Sequence, residues 1–358
     1  MNKSRDIQLD IYRALVMIYI LCVIHVTYWL GAFQEPIKSL ILFEMPVIFF
    51  ISGASLQVTL NRRSFISMVG NRASRVLIPF YAYCIILLTG ILLLETIAWV
   101  LPSFNASSHY NLSLMKVVVP SDGLFGLPFM YHLWFIVPFL GVCCSFPLQR
   151  LCYEKIGKAR YFMIGFVLFA LSCLTDIGLL REVLGYNLFF IGGVFYYRKM
   201  NIKGLTFVLI LSLLALILFQ LAGVSFTPMQ NHKFPPDIYF ICFGFAALSL
   251  FGLLFTFVKL PENKLIRRWN RHGYSIYLWQ SITFFIVYTL SSVLFSRFVS
   301  PQNSGVRFLI LSVLVFVFAT SLSYMVVPLE RVITSMLIKA GKAIRGLIPA
   351  SRSQQNES

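Results

Sequence analysis

Residues 11–33 read IYRALVMIYILCVIHVTYWLGAF, an almost uninterrupted apolar stretch. At 1.5 Å of rise per residue, about 20 apolar residues form a helix that crosses the hydrocarbon core of a bilayer. The stretch does not alternate between apolar and polar side chains, as the strands of a membrane barrel do. It therefore predicts a transmembrane helix.

Nine further stretches of this kind follow along the chain. Hydrophobic residues make up 58% of the sequence and charged residues 12%, against about 45–50% and about 25% in soluble domains. This composition excludes a soluble globular protein and predicts an all-α integral membrane protein with ten transmembrane helices. The ten stretches lie at 11–33, 37–60, 76–101, 129–148, 161–180, 183–197, 204–222, 237–258, 274–296 and 306–328.

The basic residues indicate the orientation of the bundle. The chain carries 30 Lys and Arg residues against 13 Asp and Glu residues. With a cytoplasmic N-terminus, 24 of the 30 fall in cytoplasmic segments and 6 in outer segments, which is the positive-inside pattern. We therefore expect both termini in the cytoplasm and a cell-membrane location. A nucleic-acid partner is not expected, because this composition cannot build a soluble basic face.

The sequence predicts three regions: a transmembrane domain over 1–330, a basic amphipathic helix over 331–350 on the inner membrane surface, and a disordered tail over 351–358. The seven cysteines show no metal-ligand spacing. No metal site is therefore expected.

Ionisable side chains inside membrane helices are costly and mark candidate functional sites. By the helical rise, His25 lies roughly 12 Å and Glu44 roughly 10 Å below the outer surface, in helices joined by a short connection. We expect Glu44 to hold one ring nitrogen of His25, leaving the other as a general base toward a hydroxyl group. The alternative is that His25 is an ordinary interhelical hydrogen-bonding residue.

Two further groups lie at opposite ends of the bundle. Guanidinium groups bind phosphates bidentately, so Arg72 and Arg75, with Arg62 and Arg63 nearby, predict a site for a phosphorylated cytoplasmic ligand. The alternative is that these arginines serve topology alone. Polar and aromatic residues on the outer side serve either as interface anchors or as contacts to a sugar ring; they are His132, Tyr131, Trp134, Lys233 and Asp237.

The order of these motifs resembles the acyltransferase-3 family of multipass membrane O-acyltransferases. The resemblance covers most of the chain. It rests on Asp10-x-x-Arg13 leading to His25, then FFISGASL (49–56), Arg72-x-x-Arg75, YHLWFI (131–136), KFPPDIY (233–239) and YSIYLWQ (274–280).

The resemblance implies transfer of an acyl group from acyl-CoA to a hydroxyl of an extracytoplasmic glycan in the bacterial cytoplasmic membrane. The group is acetyl, from acetyl-CoA, or succinyl. Arg13 and His25 match the family's catalytic helix-1 pair, and Arg72 and Arg75 match the arginines that handle acyl-CoA. Acyl-CoA, the glycan and membrane lipids are thus the expected partners, with no permanently bound cofactor. Whether His25 acts as a base or carries the acyl group stays open, as does the oligomeric state.

Two features depart from the family pattern. Eleven residues separate Arg13 from His25 where the family usually has ten, which turns the two side chains about 120° apart on a regular helix. Either the helix is wound differently there, or the two residues serve separate places, the interpretation we favour. In addition, Gln280 stands where many relatives have histidine, so that position is not a catalytic base.

A transporter of a glycan or small solute is the alternative function. Ten helices and a central ionisable pair also fit proton coupling. A membrane scaffold, the third possibility, needs no histidine beside a carboxylate in its interior.

Overall fold

The computed structural model describes residues 6–58, 65–100, 128–297 and 304–347. Within these ranges the chain forms helices and no strand, which confirms the all-α membrane fold class. We number the long helices in chain order: α1 Ile7–Trp29, α2 Glu44–Gln57, α3 Phe65–Val100, α4 Ile136–Ile156, α5 Lys158–Ser172, α6 Gly178–Tyr196, α7 Ile202–Leu221, α8 Ile238–Phe257, α9 Lys264–Arg297 and α10 Ser304–Leu347.

Short helical turns connect some of the long helices. Ile37–Leu40 precedes α2, and a 3-10 segment, Pro128–Phe135, leads into α4. A second 3-10 turn, Tyr197–Lys199, follows α6, and a single turn, Gln230–Lys233, lies before α8. The turns before α2, α4 and α8 lie at the same end of the bundle, which the charge pattern predicts to be the outer end and which we call the outer end below.

In the part of the chain that the structure describes, nine helical segments are long and apolar enough to cross a membrane. The exception among the ten helices is α5, with 15 residues, or about 22 Å of rise against about 30 Å of hydrocarbon. The sequence predicts a run over 161–180 at this position. The helix instead ends at Ser172, shortly before the polar Thr175 and Asp176, and the chain turns there into α6.

Side chains that accept hydrogen bonds mark the starts of four helices, among them α9, where Asn263 accepts from the amide of Ile266 at 2.8 Å. Asp6 accepts from the amide of Leu9 at 3.0 Å at the start of α1. Asn201 and Asp237 do the same at the starts of α7 and α8. Capping by Asp or Asn satisfies amide groups that have no partner within the helix, so these polar residues fix where the apolar helices begin.

The centre of the bundle is a close crossing of α2 and α6. A β-carbon added to Gly53 would collide with the carbonyl of Phe190, and one added to Gly193 would collide with the carbonyl of Phe50. The two backbones therefore touch, as small residues allow in membrane helices. The crossing places the start of α2, with Glu44, against the interior of the bundle.

Helix α1 changes its winding where it carries the candidate base. Residues Ile20–His25 form a π-helical segment between two α-helical parts. Such segments add one residue to a helix turn and often occur at functional sites.

Helix α10 continues without interruption from Ser304 to Leu347. The segment predicted as an amphipathic helix over 331–350 is thus helical as far as Leu347, and its placement on the inner membrane surface stays a prediction. The predicted tail, 351–358, lies outside the described residues.

Candidate active site

A cavity of about 770 Å³ lies at the outer end of the bundle. Its wall is built from α1, the start of α2, the entry to α4, α6, α9 and the turn before α8. Five of the residues singled out in the sequence line it together: His25, Glu44, His132, Trp134 and Lys233. Residues up to 208 positions apart in the chain thus share one site.

The imidazole of His25 is held on two sides. Its Nδ1 lies 2.6 Å from Oε1 of Gln280 on α9, and its ring stacks on Trp29 with 4.4 Å between ring centres. An amide oxygen only accepts hydrogen bonds, so Nδ1 is the donor and Nε2 keeps its lone pair. This is the state that a general base needs.

The expectation that Glu44 orients His25 is wrong. Glu44 Oε1 accepts a hydrogen bond from Nζ of Lys233, which reaches into the cavity wall from the outer segment. Both side chains are buried, and the ammonium of Lys233 also lies 5.6 Å from the ring centre of Trp134 and 4.9 Å from that of Phe234. A carboxylate gains more from a full positive charge than from a neutral imidazole, so Glu44 pairs with lysine.

Sequence reasoning did not single out Gln280 and Trp29 as the contacts of His25. Gln280 is fully buried in α9, where the sequence suggests only a polar residue facing the interior. Trp29 lies one turn after His25, and it is 37% exposed toward the outer end. The sequence carries two signals: an amide at a position where many relatives have histidine, and an aromatic residue four positions after His25.

His132 lies in the 3-10 segment that leads into α4, and it is almost fully buried. The hydroxyl of Tyr277 donates to its backbone carbonyl. The ring meets Trp29 edge to face with 5.8 Å between centres. The neighbouring Tyr131 belongs to the same segment, but its side chain lies outside the described residues.

The side chain of Asp237 forms hydrogen bonds that hold the outer segment in place. It caps α8 and its Oδ2 lies 2.6 Å from Nδ1 of His232. The second ring nitrogen of His232 lies 2.8 Å from the carbonyl of Ser225. These bonds tie the outer segment to the start of α8, and the predicted contact of Asp237 with a substrate stays a prediction.

Arg13 lies at the inner end of the bundle in a polar cluster. Its guanidinium donates to Asp10 at 2.8 Å, to Ser55 on α2 at 2.5 Å and to Asn270 on α9 at 3.2 Å. The positive charges of Arg72 and Arg75 act electrostatically on it. The structure thus brings three of the predicted arginines together, whereas Arg62 and Arg63 lie outside the described residues.

The π segment explains the unusual spacing between Arg13 and His25. An added residue in one turn removes about 100° of rotation, so the expected offset of about 120° falls to about 20°. The helix is therefore wound differently there, and the two residues also lie at separate places. The two residues share a face of α1 but lie about 18 Å apart along its axis, at opposite ends of the site.

Within the described ranges, no group of three or more His, Cys, Asp and Glu side chains is arranged to hold a metal ion. The polar groups that line the outer cavity are instead two imidazoles, the lysine–glutamate pair, Glu182 and Gln230, together with aromatic rings. Such a set suits proton transfer and hydrogen bonding to hydroxyl groups.

A family model described as Acyltransferase domain, that of the acyltransferase-3 family, matches residues 6–325. No curated protein and no solved structure matches the chain. The matched range includes both the inner arginine cluster and the outer cavity.

Proposed function

The chain belongs to the acyltransferase-3 family and is a multipass membrane acyltransferase, and from this premise we propose its reaction. It transfers an acyl group, acetyl or succinyl, from cytoplasmic acyl-CoA to a hydroxyl of an extracytoplasmic glycan or glycolipid. The acyl group passes between two sites that lie at the two ends of one helix, α1.

The observation that supports this proposal most is the tautomer of His25 in the outer cavity. Gln280 holds Nδ1 and leaves the lone pair of Nε2 for a substrate proton. In the proposed step this nitrogen takes the proton of the acceptor hydroxyl as its oxygen attacks the thioester carbon. The new C–O bond forms, the C–S bond breaks, and the proton passes to the departing thiolate. Transient acylation of His25 is the alternative route.

The inner cluster supports binding of the donor. Arg13, Arg72 and Arg75 place three guanidinium groups at the end that the charge pattern assigns to the cytoplasm. Guanidinium groups bind phosphate oxygens in pairs, and coenzyme A carries phosphates. Arg13 is already held by Asp10, so we assign phosphate binding to Arg72 and Arg75. Arg62 and Arg63 are predicted to extend this site.

The outer cavity supports binding of a glycan. Trp29 and Trp134 offer aromatic surface in its wall, and the rings of sugars stack on such surfaces through their apolar faces. The volume of about 770 Å³ lies within the range of small-molecule sites. The acceptor therefore enters from outside, opposite the donor.

The test is a mass analysis of cell-surface glycan from cells with the wild-type gene, without the gene, and with His25→Ala. Among these three strains, we expect an acetyl- or succinyl-sized mass increment only with the wild-type gene. His272→Ala is the matched control, because His272 lies at the inner end of α9 and bonds Arg331. Normal acylation by a stably inserted His25→Ala protein contradicts the proposal. Unmodified glycan trapped inside gene-deleted cells indicates a transporter instead.

A further inference from the structure

The π segment of α1 leaves one main-chain carbonyl without its regular partner. In an α-helix the amide of Val26 would donate to the carbonyl of Cys22, four residues earlier. Here it donates to the carbonyl of Val23 instead. Cys22 is buried in the middle of α1, so bulk water does not reach it. A carbonyl without a donor is costly in the interior of a membrane protein.

The hydroxyl of Ser312 on α10 replaces the missing donor. Its Oγ lies 2.6 Å from the carbonyl oxygen of Cys22, and α10 packs directly against the π segment. Hydroxyl groups in membrane helices commonly donate to a carbonyl of their own helix four residues earlier. Thr89, Thr256 and Thr289 do so in this protein. Ser312 instead donates to another helix, at the carbonyl that the π winding leaves free.

This hydrogen bond lies next to the candidate base. Cys22 is three residues before His25, which is less than one helix turn. Beyond His25, α10 holds α1 a second time, because the guanidinium of Arg307 donates to the carbonyl of Leu30 at 3.1 Å. Leu30 lies at the end of α1, where carbonyls lack partners within the helix in any winding. Of these two bonds, the one from Ser312 therefore depends on the π winding.

We propose that Ser312 is a positioning residue for His25. Its hydroxyl stabilises the π winding, and this winding brings the imidazole to Gln280 and to the outer cavity. Without the hydroxyl, the π segment contains a buried carbonyl without a donor, so the regular winding gains population. In the regular winding, α1 turns by about 100° after the segment, and His25 loses the acceptor of its Nδ1. The part of His25 as a base rests on the proposed function, whereas the effect of Ser312 on the winding does not.

The experiment compares Ser312→Val with Ser312→Thr, because valine and threonine have nearly the same shape and only threonine carries a hydroxyl. Thr289→Val is the matched control, since the hydroxyl of Thr289 is exposed and bonds its own helix. Each change is made in the full-length chain and in a chain that lacks Val23, in which the segment can wind as a regular α-helix.

Two quantities are measured for every variant. Inverted membrane vesicles that contain the endogenous glycan receive labelled acetyl-CoA or labelled succinyl-CoA, which gives kcat per inserted protein and the KM for the donor. The thermal unfolding midpoint is measured separately on the purified protein in detergent, so that the winding is tested without reference to activity.

We expect Ser312→Val to lower kcat by about three- to tenfold, the effect of one interhelical hydrogen bond in a membrane. The KM for the donor should stay within about twofold of the wild-type value, because the inner arginine cluster is unchanged. Ser312→Thr and Thr289→Val should retain the wild-type kcat. In the chain without Val23, Ser312→Val should cause no further loss of kcat or of thermal stability.

Equal kcat values and equal unfolding midpoints of the valine and threonine variants overturn the proposal. A loss from Ser312→Val that is the same with and without Val23 also overturns it, because such a loss indicates ordinary packing between α1 and α10. If the chain without Val23 does not insert, the comparison of valine with threonine decides. A wild type that transfers no label contradicts the proposed function. The unfolding midpoints then decide this proposal, which stands if Ser312→Val is less stable than Ser312→Thr only when Val23 is present.

Discussion

Gln280 sets the tautomer of His25 through one hydrogen bond, 2.6 Å between Oε1 and Nδ1. Among the described residues, Gln280 alone forms a hydrogen bond with this ring. Trp29 supports the plane of the ring but cannot choose between its two nitrogens. Which nitrogen of His25 carries the proton therefore depends on an amide side chain that gains or loses no proton in the proposed reaction.

We predict that Gln280→Leu lowers acyl transfer by about tenfold or more with little effect on the folded yield, because Nδ1 loses its acceptor and the ring can present either nitrogen. Gln280→Glu keeps an oxygen in reach of Nδ1 and retains more activity. Acylation of surface glycan, normalised to protein in the membrane, measures both. Equal activity of the leucine and glutamate variants contradicts a positioning role.

The buried pair of Lys233 and Glu44 makes a separate prediction about stability. Removing one partner leaves a buried charge without compensation, which costs about 3–5 kcal/mol. We expect Lys233→Met and Glu44→Leu each to lower the thermal unfolding midpoint in detergent. The double variant should recover a large part of the loss, because no unpaired charge remains. Additive losses in the double variant contradict direct pairing.

At the scale of single residues, the sequence predicts which side chains are candidates for the site, but not which side chains form hydrogen bonds with them. His25 and Glu44 stand out because ionisable groups are rare in apolar helices. Their partners, Gln280 and Lys233, lie 255 and 189 positions away in the chain. Nothing local in the sequence selects them, since helix packing brings them together. Matching depth in adjacent helices was a sound reason to expect one site, but not to expect one particular hydrogen bond.

The winding of the π segment determines on which face of α1 the candidate base His25 lies. The π-helical winding of Ile20–His25 accommodates one residue more than an α-helix would, and this added residue turns His25 back to the face of Arg13. The sequence shows the unusual spacing but not which helical winding accommodates it, because a regular and a π-helical turn contain the same kinds of residue. Packing of the two flanking α-helical parts decides between them.

We predict that deletion of Val23 is tolerated, because the shortened segment can become a regular α-helix and leave both flanks in place. The protein should insert normally and retain acyl transfer. Deletion of Ile18, in the regular part of α1, rotates the flanks by about 100° and should abolish activity. Membrane yield and glycan acylation of the two deletions provide the measurement. Loss of activity in both contradicts this account of the segment.

The crossing of α2 and α6 depends on two glycines. We predict that Gly53→Ala strongly lowers the folded yield, because its methyl group would overlap the carbonyl of Phe190. Gly90→Ala on α3 is the control, since no atom lies within 4 Å of its added β-carbon. That change should be neutral or stabilise the helix by up to about 1 kcal/mol. Size-exclusion profiles of both variants test the contrast.

At the scale of the whole molecule, the charge pattern predicts which end of the bundle faces the cytoplasm, and the sides of the proposed reaction follow from that prediction. The sequence predicted the helical class and most helix positions, because apolar runs and basic loops are properties of single segments. The cavity could not be predicted in the same way. It arises from six parts of the chain, and its volume depends on how they pack.

The orientation can be tested with a natural cysteine. Cys152 is exposed near the inner end of α4. We predict that a membrane-impermeant maleimide labels it only in permeabilised cells or inverted vesicles, with Cys152→Ser as the unlabelled control. Labelling in intact cells would reverse the orientation and place the arginine cluster outside.

The winding of α1 also affects how related chains should be recognised. A pattern search that fixes the number of residues between the arginine and the histidine rejects this protein, although both side chains face the same way. One inserted residue can thus be accommodated in a single helical turn, without a compensating change elsewhere in the protein. Relatives of either spacing should therefore be aligned with a one-residue gap placed inside the turn before the histidine.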